Sequence, residues 1–327
     1  MKIIAMVNGG FAIPTLRAIH ESRHELTAVI AMPVRTKAKG AKAGIPPVRQ
    51  AAEEFLGDVP LYDPEDVNSP EGVELVRSLN ADLIFICDYG KILSKEVLSL
   101  TKYGGLNLHG SLLPKYRGAA PINRAIQAGD RTLGVSVIFI EPQVDAGPIV
   151  AVASYEPSLA DTSVEVEEYL SKVGAPLVME SIDRIEAGTI EPLTQTHSAA
   201  TKAPKLRKEE GRVDWTKTSA EIVDQYRAFQ PWPKTYSEWT NSANGKETRL
   251  ILGPFATTDA KGAGFVFTDE TVKAPCGAVI GASQDGLWIK TGDGALRVVD
   301  VQAAGKKNMP AEAFLRGCPV KVGDVLQ

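Results

Sequence analysis

Asn107 and His109 stand two residues apart in the apolar run Gly105-Leu106-Asn107-Leu108-His109, and no other pair in the chain is better placed to do chemistry. Successive side chains of an extended segment alternate faces, so the amide and the imidazole project together while Leu106 and Leu108 project on the other side. The leucines then belong to a core and the polar pair to a cleft. An imidazole titrates near ~6.5 and exchanges protons at neutral pH, and a carboxamide can donate a hydrogen bond to developing negative charge. A histidine near a strand end is also commonly a hydrogen-bonded structural residue, so spacing by itself leaves both readings open. Beyond the strand, Gly110 and Pro114 break regular structure, and Arg117-Gly118-Ala119-Ala120-Pro121 leads into a helix-like run over 122–127.

A strand of this kind needs a sheet around it. Short β-rich apolar runs at 3–7, 26–32 and 83–87 alternate with helical-looking segments around 14–22, 47–55 and 71–78, the pattern of a parallel sheet. The strand at 106–109 would join that sheet, with its Asn and His at a carboxyl end, where open α/β folds bind ligands. Val166, Leu170, Val173, Leu177 and Ile185 recur at helical spacing and predict a helix over 163–184 that closes the first domain. From 188 to 210 the chain turns polar, and Pro192 and Pro204 interrupt any regular element, as in a linker. Strand-like runs at 249–252, 278–280, 287–290 and 296–301 follow, with no helix pattern between them, so a small antiparallel barrel is expected. The expected division is 1–188, a linker at 189–207, and 208–327.

The 327 residues, 44% of them hydrophobic, suffice for two domains with a full core. No apolar run approaches the roughly 20 residues that span a bilayer, and the N-terminus enters a strand pattern with no signal-peptide character, so a cytoplasmic protein with no membrane partner is expected. Cys87, Cys276 and Cys318 lie far apart without a Cys-x-x-Cys or a His cluster, which argues against a metal site or a disulfide framework. The net charge of −4 argues against a general polyanion binder. It is unevenly spread: residues 1–200 carry 18 Lys/Arg against 25 Asp/Glu, residues 201–327 carry 18 against 15, and the second part is the better candidate for meeting phosphate. Arg35-Thr36-Lys37-Ala38-Lys39-Gly40-Ala41-Lys42 sets four cations among small residues with no apolar period, and reads as a solvated loop or as one that contacts phosphates. The turn at Val7-Asn8-Gly9-Gly10 lacks Gly-x-Gly-x-x-Gly spacing, and no acidic residue ends the next strand, so a dinucleotide site is not expected.

Asn107-Leu108-His109-Gly110-Ser111-Leu112-Leu113-Pro114, followed by Tyr116-Arg117-Gly118-Ala119, resembles the central motif of folate-dependent formyltransferases. Val144-Asp145-Ala146-Gly147-Pro148-Ile149 falls where that family places an Asp on a downstream loop. The resemblance implies an α/β, Rossmann-like formyltransferase domain with a parallel-rich sheet, then a small C-terminal OB-like β-barrel. It also implies 10-formyltetrahydrofolate as formyl donor, no metal, and Asn107, His109 and Asp145 as the catalytic set. His109 would move protons, and Asn107 would donate to the oxyanion, an interaction worth about 3 kcal/mol. Asp145 would either hold the imidazole and stabilise its charged form or relay protons through water. Tyr89, Gly90, Ile92, Ser111, Leu112, Leu113 and Pro114 would shape the folate site; Ser111 lacks a nucleophile elbow and reads as a loop hydrogen bonder. Two features depart from the family pattern. Gly9-Gly10 replaces the usual Gly-Thr-Pro-like turn, and Asp88 replaces a small residue, its carboxylate either exposed or bonded to a loop amide.

Residues 205–215, 227–233 and 301–317 resemble the branch of the family that formylates methionyl-tRNA. That branch implies initiator methionyl-tRNA as acceptor, formylmethionyl-tRNA for translation initiation as product, and a monomer whose tRNA contacts come from Arg35, Lys37, Lys39, Lys42, Lys205, Arg207, Lys208, Lys306 and Lys307. A sugar-nucleotide formyltransferase would use the same three catalytic residues, and a folate hydrolase would send water to the same carbonyl. A non-catalytic RNA-binding protein would have no need of the three together.

Overall fold

Strands in the first half bury both of their faces, which requires a sheet covered on each side. The computed structural model describes residues 1–34, 45–241, 245–257, 268–283 and 286–327. The chain forms two compact units. The first comprises Met1–Ile122, Thr132–Pro157 and Glu165–Pro204; the second comprises Asn123–Arg131, Ser158–Val164 and Lys205–Gln327.

In the first unit, β1 (Lys2–Val7), α1 (Ile13–His20), β2 (Glu25–Ile30), α2 (Pro47–Ala51), β3 (Leu61–Tyr62), α3 (Pro70–Ser78), β4 (Leu83–Cys87), α4 (Lys95–Ser99) and β5 (Gly105–His109) follow one another. β6 (Arg117–Gly118), α5 (Pro121–Gln127), β7 (Leu133–Phe139), β8 (Ile149–Tyr155), α6 (Ser163–Ala187) and β9 (Lys202–Ala203) complete the order up to Pro204, most of α5 and the first two residues of α6 belonging to the second unit. Seven strands make one sheet in the order β3-β2-β1-β4-β5-β7-β8. β1 to β5 run parallel, and β7 and β8 are antiparallel additions, so the sheet is mixed with a parallel majority, in a Rossmann-like α/β unit. β5 lies between β4 and β7, with Ile86 beside Asn107 on one flank and Ser136 beside His109 on the other.

Helix α6 shows a shift from its expected face. The buried stripe runs through Val166, Leu170, Val178, Ile182 and Ile185, while Val173 and Leu177 are half-buried. Gly174 lies over Leu108 of β5, so the stripe passes through a residue that a hydrophobicity pattern does not count. The segment expected as a linker is also anchored: Leu193 bridges Ile149, a 3₁₀ turn spans His197–Ala199, and β9 pairs in parallel with β6.

The second unit begins with a 3₁₀ turn at Lys208–Gly211 and α7 (Ser219–Ala228), which Thr218 and Glu221 cap reciprocally. Arg227 and Asp224 form a buried pair at 2.8 Å, and Arg131 reaches Asp224 at 3.0 Å. Arg227 also donates to the carbonyls of Asp161 and Ser158, which explains why 123–131 and 158–164 belong to this unit. β10 (Tyr236–Thr240), β11 (Glu247–Leu252), β12 (Phe255–Thr257), α8 (Asp269–Lys273), β13 (Val279–Ser283), β14 (Gly286–Lys290), β15 (Ala295–Val298), β16 (Asp300–Ala303), β17 (Met309–Pro310) and α9 (Ala311–Gly317) follow. They give two four-stranded sheets, β10-β11-β16-β17 and β12-β15-β14-β13, whose described pairings are antiparallel. Trp239, Leu250 and Val301 from the first sheet meet Leu287, Ile289 and Leu296 from the second in one core.

Two expectations for this half are corrected. The run 296–301 is two strands, because β15 and β16 part at Val299 and join different sheets, level with the turn at Gly253-Pro254 that separates β11 from β12. Helices also occur among the strands. α8 is five residues opened by a Thr268 cap, too short to show a helical period.

Candidate active site

Alternation along β5 delivers the expected faces. Leu106 and Leu108 are buried at 0% and 3% exposure, while Asn107 is half-buried at the edge of a cleft. His109 ends the strand, 6% exposed, and its Nε2 lies 2.9 Å from the carbonyl oxygen of Tyr116. A carbonyl only accepts, so Nε2 carries the hydrogen and Nδ1 is the basic nitrogen of the neutral ring. Nδ1 lies 3.6 Å from Oδ2 of Asp145. That is ion-pairing range and beyond a hydrogen bond, so the Tyr116 carbonyl sets the tautomer and Asp145 acts on the ring as charge.

Asp145 sits on the β7–β8 connection with φ at 52°, and its Oδ2 accepts the Gly118 N–H at 2.8 Å. Gly118 has φ at 127°, and a Cβ there would meet the Ala203 carbonyl at 2.6 Å, so only glycine presents this N–H beside β9. The loop is held from behind by Gln195, which donates to the carbonyls of Asp145 and Gly147 and accepts from Arg117. Thr201 Oγ1 accepts the Tyr116 N–H at 2.8 Å. Sequence reading missed Gln195, Arg117 and Thr201 as contributors, because nothing in a polar stretch marks which side chain turns inward.

The cleft beside these groups encloses about 500 Å³ of space continuous with solvent. Ile86, Ile92, Leu93, Ile138, Ile140 and Val144 supply apolar walls, Asn107 and Asp145 one end, and Lys91 and Glu141 further polar groups. Of the residues expected to shape the folate site, Ile92 lines this cleft. Tyr89 is 2% exposed and packs in the core around Ile84 and Val97, and Gly90 is exposed after it. Ser111 donates to the Lys115 carbonyl, and the Leu113 N–H donates to Ser136. Leu112 lies against Gly134, and Pro114 is half-buried, so residues 111–114 brace the His109 side rather than the cleft wall. Arg35, Lys37, Lys39 and Lys42 lie outside the described residues. Lys205, Arg207, Lys208, Lys306 and Lys307 are exposed on the second unit.

The two departures from the family pattern touch. A Cβ on Gly9 would lie 2.5 Å from Oδ2 of Asp88, so the glycine gives the carboxylate its room. Asp88 keeps solvent-exposed surface, yet protein crowds its carboxylate, and this desolvation pushes its pKa up, against the pull of His109. Burial likewise pushes Cys87 up, with Asp88 and Glu167 adding to it, so that thiol stays neutral. A carboxyl raised in the folded state costs stability once ionised. That cost is absent below its ordinary 3.8 and complete above its raised value. Asp88→Asn is therefore expected to melt at higher temperature than the parent at pH 7, with the gain shrinking as the pH falls below the raised value and gone below 3.8; equal melting at pH 7 would show a fully solvated carboxylate.

One group of metal-ligand type occurs among the described residues, His24, Asp183 and Glu186. Its carboxylates already pair with Arg23 and the Met1 amine, which gives it a structural use.

Residues 1–182 match the model of the formyl transferase family, and residues 205–319 match that of the formyl transferase C-terminal domain. A methionyl-tRNA formyltransferase from Moorella thermoacetica is 35% identical over 326 residues, spanning 100% of this chain and 99% of its own. One from Magnetococcus marinus is 37% identical over 325 residues, spanning 99% and 98%. Among solved structures, HypX from Aquifex aeolicus in complex with tetrahydrofolic acid aligns with a TM-score of 0.62 at 19% identity, covering 100% of this chain and 50% of its own. An N-formyltransferase from Helicobacter canadensis with folinic acid and dTDP-3-aminofucose aligns at 0.59 and 19% identity, covering 91% and 97%. At such identity these two structures speak to the fold.

Proposed function

The chain belongs to the formyl transferase family, and from that premise we propose that it transfers the formyl group of 10-formyltetrahydrofolate to the amino group of initiator methionyl-tRNA. The observation that carries the acceptor is coverage: relatives named methionyl-tRNA formyltransferase match through both units, from end to end. The donor is supported by the apolar cleft, whose largely aliphatic lining suits a pteridine and includes Asn107 and Asp145.

In this reading each chemical task falls to one group. Nε2 of His109 is committed to Tyr116, so Nδ1 takes the proton that the attacking ammonium must lose. The imidazolium so formed faces Asp145 at 3.6 Å, and the carboxylate offsets its charge. Asn107 lies two residues back on the same face, about 6.6 Å along the strand, and donates to the formyl oxygen as the amine–carbon bond forms. The ring then returns its proton to the folate nitrogen as the old carbon–nitrogen bond breaks, and the second proton that the former ammonium sheds in becoming a formamide leaves to solvent. The products are formylmethionyl-tRNA and tetrahydrofolate.

The shared core and the common corner of its two sheets support an OB-like barrel for the second unit. Its exposed Lys205, Arg207, Lys208, Lys306 and Lys307, with Arg35, Lys37, Lys39 and Lys42, are the cations we assign to tRNA phosphates. We assign the catalytic role to residues 1–188, a connecting role to 189–207 and tRNA binding to 208–327. The reaction needs one copy of the chain and no membrane, and belongs in the cytoplasm with its substrates.

The test is transfer of labelled formyl from 10-formyltetrahydrofolate to methionyl-tRNA, with free methionine and an amino-sugar nucleotide as parallel acceptors. Label on charged initiator tRNA alone is the expected result. Label on the sugar nucleotide, or formate released without an acceptor, would keep the site chemistry and overturn the substrate.

A further inference from the structure

We infer that Gln195 is a positioning residue for the reaction proposed above, on which this inference rests: it sets where Asp145 stands relative to His109. The residue lies in the segment between the two family matches and is 4% exposed. Its Nε2 donates to the Asp145 carbonyl at 2.9 Å and to the Gly147 carbonyl at 2.7 Å. Its Oε1 accepts from Arg117 Nε at 3.1 Å and Nη2 at 2.6 Å. Both amide hydrogens and both lone pairs of the oxygen are thus used. The orientation is determined as well, because guanidinium only donates and the two carbonyls only accept.

These four bonds close a circuit around the candidate catalytic pair. Arg117 is flanked by Tyr116, whose carbonyl orients His109, and by Gly118, whose N–H holds the Asp145 carboxylate. Gln195 joins that strand to the backbone of Asp145 itself, a residue in left-handed conformation whose carbonyl accepts the Gln195 amide. A segment that merely connected two units would have no reason to bury a fully bonded carboxamide here. Asp145 sits at ion-pairing distance without a direct bond to the ring, so its effect on His109 depends on how firmly its loop is held.

The experiment compares four full-length chains in formyl transfer to methionyl-tRNA: the parent, Gln195→Glu, Asp145→Asn and the double variant. Glutamate keeps the size and the Arg117 contact but turns lone pairs, instead of hydrogens, toward the two carbonyls. Its kcat is expected to fall about 10-fold to 100-fold, with KM for each substrate within about threefold of the parent. In the Asp145→Asn background the same change is expected to cost less than about twofold, because the residue acts through Asp145. Parent-like kcat in Gln195→Glu, or an equal loss in both backgrounds, overturns the inference. Should Gln195→Glu fail to fold, Gln195→Met, which removes the donors without adding charge, enters the same cycle under the same criteria. A parent chain that formylates no methionyl-tRNA overturns the functional reading instead, and the two failures are told apart by that control.

Discussion

Replacing His109 by alanine is expected to lower kcat for formyl transfer by about 10²–10⁴-fold, the range in which a positioned proton-transfer group contributes. The binding of 10-formyltetrahydrofolate, read by equilibrium dialysis, should stay near that of the parent, because the ring is buried and is absent from the lining of the cleft. Alanine also removes the His109 hydrogen bond to the Tyr116 carbonyl, so some thermal stability is lost. His109→Gln separates the two effects: its amide nitrogen takes the place of Nε2 and can donate to the same carbonyl but cannot shuttle the proton, so it should recover stability and none of the rate. Recovery of rate by His109→Gln, or a kcat within tenfold of the parent for alanine, would move the proton transfer to another group.

The strand that carries this chemistry was legible because period-two alternation needs only four residues to declare itself, and Asn107 and His109 interrupt an otherwise apolar run. The β-rich runs of the first sheet were legible for the same reason. Reading stopped short where the signal lies in hydrogen bonds rather than in hydrophobicity. Residues 189–204 are polar and bounded by prolines, so they resemble a linker, yet Gln195, Thr201 and β9 anchor them beside the site. Side-chain period also misplaced the face of α6 by one residue, since Gly174 contributes a close contact and no hydrophobicity. The run 296–301 looked continuous because both of its strands are apolar; only the pairing partners reveal that it turns from one sheet to the other at Val299. The loop at Asp145 came from family resemblance, and its geometry could not have come from spacing, because the Gly118 N–H that holds it lies 27 residues away in sequence.

Asn107 offers the sharper electrostatic test. Its carboxamide lines the cleft, and no described residue bonds it, so its hydrogens are available to a substrate oxygen. Deleting one donor to a developing oxyanion costs about 10²–10³-fold in kcat, or about 2.7–4 kcal/mol, and Asn107→Ala is expected in that range. Loss of packing alone could lower activity too, and alanine does not separate the causes. Asn107→Asp does. It keeps the shape of the side chain but faces the forming oxyanion with a negative charge in place of a donor, so it should be slower than alanine although it is closer in size. Single-turnover transfer with saturating donor and methionyl-tRNA isolates this step from product release. The expected order is Asn, then Ala, then Asp. An Asp variant faster than the Ala variant would mean that the side chain at 107 serves by filling space, and the oxyanion would need its donor elsewhere, from the backbone around the cleft.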